Sequence, residues 1–135
     1  MLGVLRGTEK KFSFRGKEII VNNKNVEVSA GFTVNYLPAS EVPAAVDRIL
    51  AKVNAVGPST SLEEIAWIAQ GLLGTHPFAD GNGRVTKMVL DYMLLKAHLP
   101  PLPHDPQLTK DFMFKTPADY AQDMRRAYAK AGLAQ

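Results

Sequence analysis

In the segment Val85 to Lys96, once past Thr86 and Lys87, there is almost no polar side, with Met88, Val89, Leu90, Tyr92, Met93, Leu94 and Leu95 placed around the whole axis. A helix that is apolar all round has no face to give to water, so other elements of the same chain must wrap it. This predicts that 85–96 is the central and most buried helix and that the fold is mainly α. The wrapping elements are legible on either side. After Ser40, a candidate N-cap, Val42, Val46, Ile49, Leu50 and Val53 recur at helical spacing, with Pro43 tolerable in the first turn and Gly57-Pro58 as the stop. Ser61 and Glu64 have the form of a capping box, and Ile65, Ile68, Ala69, Leu72 and Leu73 give the next apolar face, running out near Gly74. The connection HLPPLPHDPQ is proline-rich and reads as extended and rigid. Thr116-Pro117 then fills the N-cap and N1 positions of a last helix ending near Gly132.

The first third has a different rhythm. KFSFRG, KEIIVNN, KNVEVSAG and FTVNYL alternate β-branched or aromatic residues over short runs, divided by Gly16, the Asn22-Asn23-Lys24-Asn25 cluster and Gly31, and stopped at Pro38. Strands this short cannot form a core alone and must lean on the helices. The expected organisation is one domain over 1–135, with a strand and hairpin region at about 1–38 and a helical core at about 40–132. At 135 residues, 46% hydrophobic and 21% charged, the chain is long enough and apolar enough to bury such a core. A net charge of +3 tolerates an anionic ligand without calling for nucleic acid. Zero cysteines exclude disulfides, thiolate metal sites and cysteine nucleophiles. No run is long and apolar enough to span a bilayer, and MLGVLRGTEKK lacks the pattern of a secretory leader. The expectation is therefore no membrane partner and a cytoplasmic location, or delivery as an effector without a recognisable signal peptide.

Between the second and third helices lies His76-Pro77-Phe78-Ala79-Asp80-Gly81-Asn82-Gly83-Arg84. Gly81, Asn82 and Gly83 raise little steric objection to tight turns, so successive N–H groups can converge as an anion nest. The dipole of the helix starting near Arg84 adds positive potential at the same point. Arg84 and Lys87, three apart, are expected on one face of the first turn, within reach of one anion. Asp80 beside this positive site makes sense with a Mg²⁺ ion, which commonly takes one carboxylate plus phosphate oxygens and waters. His76 has a side chain able to take a proton from an attacking hydroxyl near neutral pH. Phe78 is expected to anchor the loop by burying its ring. Simpler readings fail. Asp-Gly and Asn-Gly favour hairpin turns, yet both flanks are helical. An EF-hand needs glycine where Val85 stands, and GNGRVTK lacks P-loop spacing.

The string resembles the signature of the Fic family, HPFx(D/E)GNGRxxR, matching at every position from His76 to Arg84 and departing at Lys87, where the pattern has arginine. The order of hairpin, helices, buried helix and closing helix resembles that family over most of the chain. The resemblance implies a helical core with a small β-hairpin flap and an activity that transfers AMP from ATP to a protein hydroxyl. It implies that His76 deprotonates a Ser, Thr or Tyr of the target, that Asp80 coordinates Mg²⁺, and that Gly81, Asn82 and Gly83 form the anion hole. Arg84 would stabilise phosphate charge, Lys87 would lie near the outer phosphates, and Phe78 would hold the loop from beneath. The flap is expected between Val28 and Leu37, with Phe32, Thr33, Val34, Asn35 and Tyr36 docking the target by strand addition.

Lysine lacks the planar fork of arginine, so position 87 predicts a weaker grip on the γ-phosphate or a preference for another nucleotide. The related phosphorylating Doc group has lysine at the place of Gly83, which disfavours phosphorylation here. Two alternatives to the transferase therefore stand: a nucleotide-binding regulatory module without turnover, and a toxin using another donor under an antitoxin-like inhibitory partner. Thr60 to Glu64 fits the first part of the family's inhibitory pattern, but Ile65 follows and the segment reads as core helix. The length also suits a catalytic core cut from a longer effector. Trp67, His98, His104, Arg125 and Arg126 are expected to serve packing or solvation only.

Overall fold

The structure, a computed structural model, describes residues 39–75, 77–78, 80–109, 112 and 115–133, together with the backbone of strands 12–14, 17–19, 25–29 and 32–35. Four α-helices follow one another among the described residues: α1 (Val42–Asn54), α2 (Leu62–Thr75), α3 (Asn82–Lys96) and α4 (Pro117–Lys130). Strands β1 (Phe12–Phe14) and β2 (Lys17–Ile19) pair antiparallel, and so do β3 (Asn25–Ser29) and β4 (Phe32–Asn35). The register of the second pair shifts between Glu27 and Ser29. The mainly helical expectation holds, and the four strands fall inside the four segments read as strands. No helix among the described residues is long and apolar enough to cross a membrane.

The centre of the bundle is α2, not α3. Ile65, Ala66, Ile68, Ala69 and Leu72 are all buried, and α2 packs against α1, α3 and α4. Ala66 and Ala69 explain why: with one methyl each, they let neighbouring helices come close from more than one side. Helix α3 buries Leu90, Met93 and Leu94 but leaves Met88, Tyr92 and Leu95 between 50% and 66% exposed. Those three lie at i, i+4 and i+7, one face of the helix. Its apolar character all round therefore does not place it at the centre, which corrects the expectation drawn from composition alone.

The helix termini follow their local chemistry with one exception. The Ser61 hydroxyl accepts the Glu64 N–H at 3.1 Å and opens α2, and the Thr116 hydroxyl accepts the Asp119 N–H at 3.1 Å and opens α4. At α1 the expected Ser40 cap is replaced by a 3-10 turn over Ala39–Glu41, and Glu41 stands at the N-cap position without a side-chain cap. The buried face of α1 is Val42, Ala45 and Val53, while Leu50, expected inside, is exposed.

Long-range bonds lock the helices that carry the site. Lys96, at the end of α3, donates to the carbonyls of Val53 (3.2 Å) and Asn54 (2.6 Å), where the negative end of the α1 dipole favours a cation. Gln70 on α2 donates to the carbonyls of Phe112 (2.9 Å) and Lys115 (2.8 Å), tying down the approach to α4. Phe112 meets Tyr120 edge to face at 4.7 Å, and the Tyr120 hydroxyl donates to the Leu108 carbonyl at 2.8 Å. Asp123 on α4 is buried and bonded by both Lys115 and Arg126. Burial alone would raise its carboxyl; the two hydrogen bonds outweigh this and hold it below the ordinary carboxylate value.

Candidate functional site

The segment joining α2 to α3 is held at both ends by buried groups. Thr75, the last residue of α2, is buried and donates its hydroxyl to the Gly71 carbonyl at 2.8 Å. Pro77 is fully buried. His76, between them, lies outside the described residues, as do Ala79 and Tyr36. For Phe32, Thr33, Val34 and Asn35 the description reaches the backbone of β4 only.

Asn82 closes the loop. Its side-chain oxygen accepts the Phe78 N–H at 2.9 Å, and its side-chain NH₂ donates to the Phe78 carbonyl at 2.8 Å. Asn82 is buried, so both polar ends of the amide are used in a partly dry setting where such bonds hold firmly. The loop is thus anchored through the backbone of Phe78, whose side chain is partly exposed. The Asn82 side chain faces the loop, and what it leaves for an anion is its backbone N–H.

The glycine run builds a different shape from the alternating nest. Only Gly81 has a positive φ, 80°, and it stands at the N-cap of α3. That left-handed conformation is strained for residues with a Cβ. Asn82, Gly83 and Arg84 are already helical, the first intrahelical bond running from Val85 N–H to Gly81 C=O at 3.0 Å. The first-turn N–H groups therefore point outward along the axis, and no side chain caps them. Helix dipole and open donors coincide at one spot, the ordinary setting for a phosphate. Gly83 is exposed, and among the described residues a Cβ there would meet nothing within 4 Å.

The charged side chains divide. Asp80 accepts the Gly81 N–H at 2.8 Å with one oxygen and lies 3.9 Å from the Arg84 guanidinium with the other. Both side chains are largely exposed, so the pair is weak and open to exchange. Lys87 instead reaches down the helix and donates to Asp91 at 2.7 Å. The other Asp91 oxygen accepts the Leu102 N–H at 3.2 Å. Arg84 and Lys87 thus do not converge as their spacing suggested. The signal for this was in the sequence, since Lys87 and Asp91 are four apart on a helix. Among the described residues no three His, Asp or Glu side chains gather into a closed metal cage. The Asp80 carboxylate, solvent-facing beside open phosphate donors, fits a shared Mg²⁺ that completes its shell with phosphate and water.

The family model that matches is that of the Fic/DOC family, over residues 6–94, a span containing 76–84. A search of curated proteins finds no match. Twelve solved chains match, and two of them show the resemblance of fold. One is a Fic domain containing signaling protein from Bacteroides thetaiotaomicron, 21% identical with a TM-score of 0.54, aligned over 93% of this chain and 42% of its own. The other is BepC, a VirB-translocated Bartonella effector protein from Bartonella tribocorum, with bound AMPPNP. It is 16% identical with a TM-score of 0.61, over 93% of this chain and 64% of its own. At these identities the likeness is one of fold, and this chain spans less than two thirds of either protein.

Proposed function

Because the chain belongs to the Fic/DOC family, whose activities are AMPylation or related transfers, we propose that it moves AMP from ATP to a Ser, Thr or Tyr hydroxyl of a target protein. The observation that carries this reading is the uncapped N-terminus of α3, with Gly81 left-handed, Arg84 in the first turn and Asp80 adjacent. The AMPPNP held by the Bartonella effector supports ATP as the donor. The reading treats 1–135 as a single unit with a hairpin region and a helical core.

In this mechanism His76 takes the proton of the target hydroxyl as its oxygen attacks the α-phosphorus. The new P–O bond forms, the bond to the β-phosphate oxygen breaks, and pyrophosphate leaves with that electron pair. The N–H groups of Asn82 and Gly83 and the Arg84 guanidinium meet the charge that builds on the phosphate oxygens, and being fixed beforehand they need no reorganisation. Asp80 would hold Mg²⁺, which when bound neutralises phosphate charge. The Asn82 brace on Phe78 keeps the loop in shape while this happens. Strand β4, Phe32–Asn35, together with Tyr36, serves as the flap that aligns the target backbone.

Lys87 gives a specific reason to retain a second reading. With its ammonium on Asp91, the outer phosphates lose one cation, which favours a different donor or binding without turnover. An antitoxin-like partner is the proposed restraint on the toxin version, and a cytoplasmic location suits both. One experiment separates these: incubation with Mg²⁺, cell lysate and ATP labelled at the α or the γ phosphate, beside His76→Ala. Label moving from the α position only, and not with His76→Ala, is the expected outcome. Label from γ only means a kinase, and binding of nucleotide with no transfer from either position ends the enzyme reading.

A further inference from the structure

Helices α1 and α2 leave between them a groove of about 420 Å³, floored by Ile49 and Ile68, that runs to Thr75 at the threshold of the 76–84 segment. Three features of its walls stand open to an occupant among the described residues. Trp67 is 51% exposed, with the Lys52 ammonium 5.0 Å from its ring centre. A half-wet tryptophan beside a cation has the composition of a protein-binding hot spot. Arg48, one turn before Lys52 on the same helix, lines the groove, and among the described residues neither cation has a carboxylate partner.

Gly71 is the third. Glycine inside a helix is less favourable than alanine, and among the described residues a Cβ at Gly71 would meet nothing within 4 Å. Internal packing therefore does not require glycine at this exposed position in α2. What its missing side chain provides is a bare stretch of helix backbone that something outside the fold can approach closely. The charges choose the chemistry of that occupant. Arg48 and Lys52 favour carboxylates on the α1 side, while Glu63 and Glu64 make the surface acidic beyond Trp67.

We propose that this groove docks an acidic, apolar-bearing peptide segment of the protein whose hydroxyl is modified, an apolar side chain of the segment covering Trp67 and its backbone crossing Gly71. The identity of the partner as the modified protein rests on the transfer reading above; the binding itself does not. Because the occupant leaves the groove at Thr75, it is fed toward the loop that carries His76, and docking raises the local concentration of the acceptor there.

Trp67 is the single tryptophan of the chain, so its fluorescence reports on the groove directly. The full chain is titrated with a short amphipathic peptide carrying Glu and Leu, and a Ser, a Thr and a Tyr beyond the groove-binding part, with the same peptide carrying Gln for Glu, and with Mg²⁺–ATP. The acidic peptide is expected to shift the emission to shorter wavelength and to saturate, and the Gln peptide to bind about tenfold more weakly or worse. Gly71→Leu fills open space with a better helix former, so it keeps its melting temperature and loses the titration. The pair Arg48→Glu with Lys52→Glu weakens binding at least about tenfold. An unchanged emission, the same titration in Gly71→Leu, or the shift produced by Mg²⁺–ATP in place of the peptide overturns the proposal. Transfer from α-labelled ATP, followed on the same preparations, keeps the two readings apart. Peptide binding without transfer counts against the transfer reading alone, and transfer without peptide binding counts against the groove alone.

Discussion

Helices α2 and α4 begin in one way and α3 in another. Ser61 and Thr116 each accept a backbone N–H of the first turn, and Glu63, Glu64 and Asp119 set negative charge against the positive end of the dipole. Helix α3 has neither a hydroxyl cap nor a first-turn acid, and its nearest carboxylate, Asp80, stands before the N-cap and faces Arg84. Its N-cap is a left-handed glycine without a side chain, its first turn holds no acid, and Arg84 stands there with the sign the dipole disfavours. A terminus that forgoes a side-chain cap worth about 1 kcal/mol and places a cation in its first turn leaves its N–H groups open to an anion, which is the basis of the proposed phosphate site. The other two termini close on themselves and serve the fold alone.

That contrast can be broken at several points. The largest effect is expected at Asn82. Asn82→Ala removes both bonds to Phe78 and leaves a partly buried N–H and C=O without partners, at a cost of roughly 2–3 kcal/mol in urea unfolding and with loss of nucleotide transfer. A variant that unfolds like the parent would mean the brace does not hold the loop. Ser61→Ala and Thr116→Ala should each lose about 1 kcal/mol of stability while nucleotide affinity, measured by calorimetry, stays unchanged. Equal damage to affinity would erase the distinction between the termini. The smallest effect on stability is expected at Arg84. Arg84→Ala should stay within about 0.5 kcal/mol of the parent, because the side chain is exposed and opposes the dipole. Its affinity for Mg²⁺–ATP should nevertheless fall about tenfold.

The same contrast marks what could be read from the chain. Ser61, Glu64, Thr116 and Pro117 announce their helix ends because a hydroxyl or a pyrrolidine ring acts within its own turn, and short-range chemistry is written in short strings. The 76–84 segment is legible for the same reason. The side chain of Asn82 is not, since an amide suits a backbone clasp as well as a phosphate, and only the position of Phe78 decides between them. Nor could the wrapping order be read. Helix α3 is richer in large apolar residues, yet Ala66 and Ala69 make α2 the helix that neighbours can approach from several sides. Burial depends on what lies opposite, and a single helix does not carry that information. The exposed face of Met88, Tyr92 and Leu95 shows the consequence.

The most direct test of the open terminus is to follow backbone amide resonances while Mg²⁺–ATP is added. The account predicts large shifts for the N–H groups of Asn82, Gly83 and Arg84, with those of Glu64 and Asp119 unmoved because Ser61 and Thr116 already hold them. Saturating nucleotide that leaves Asn82, Gly83 and Arg84 in place, or that shifts all three termini alike, would contradict it.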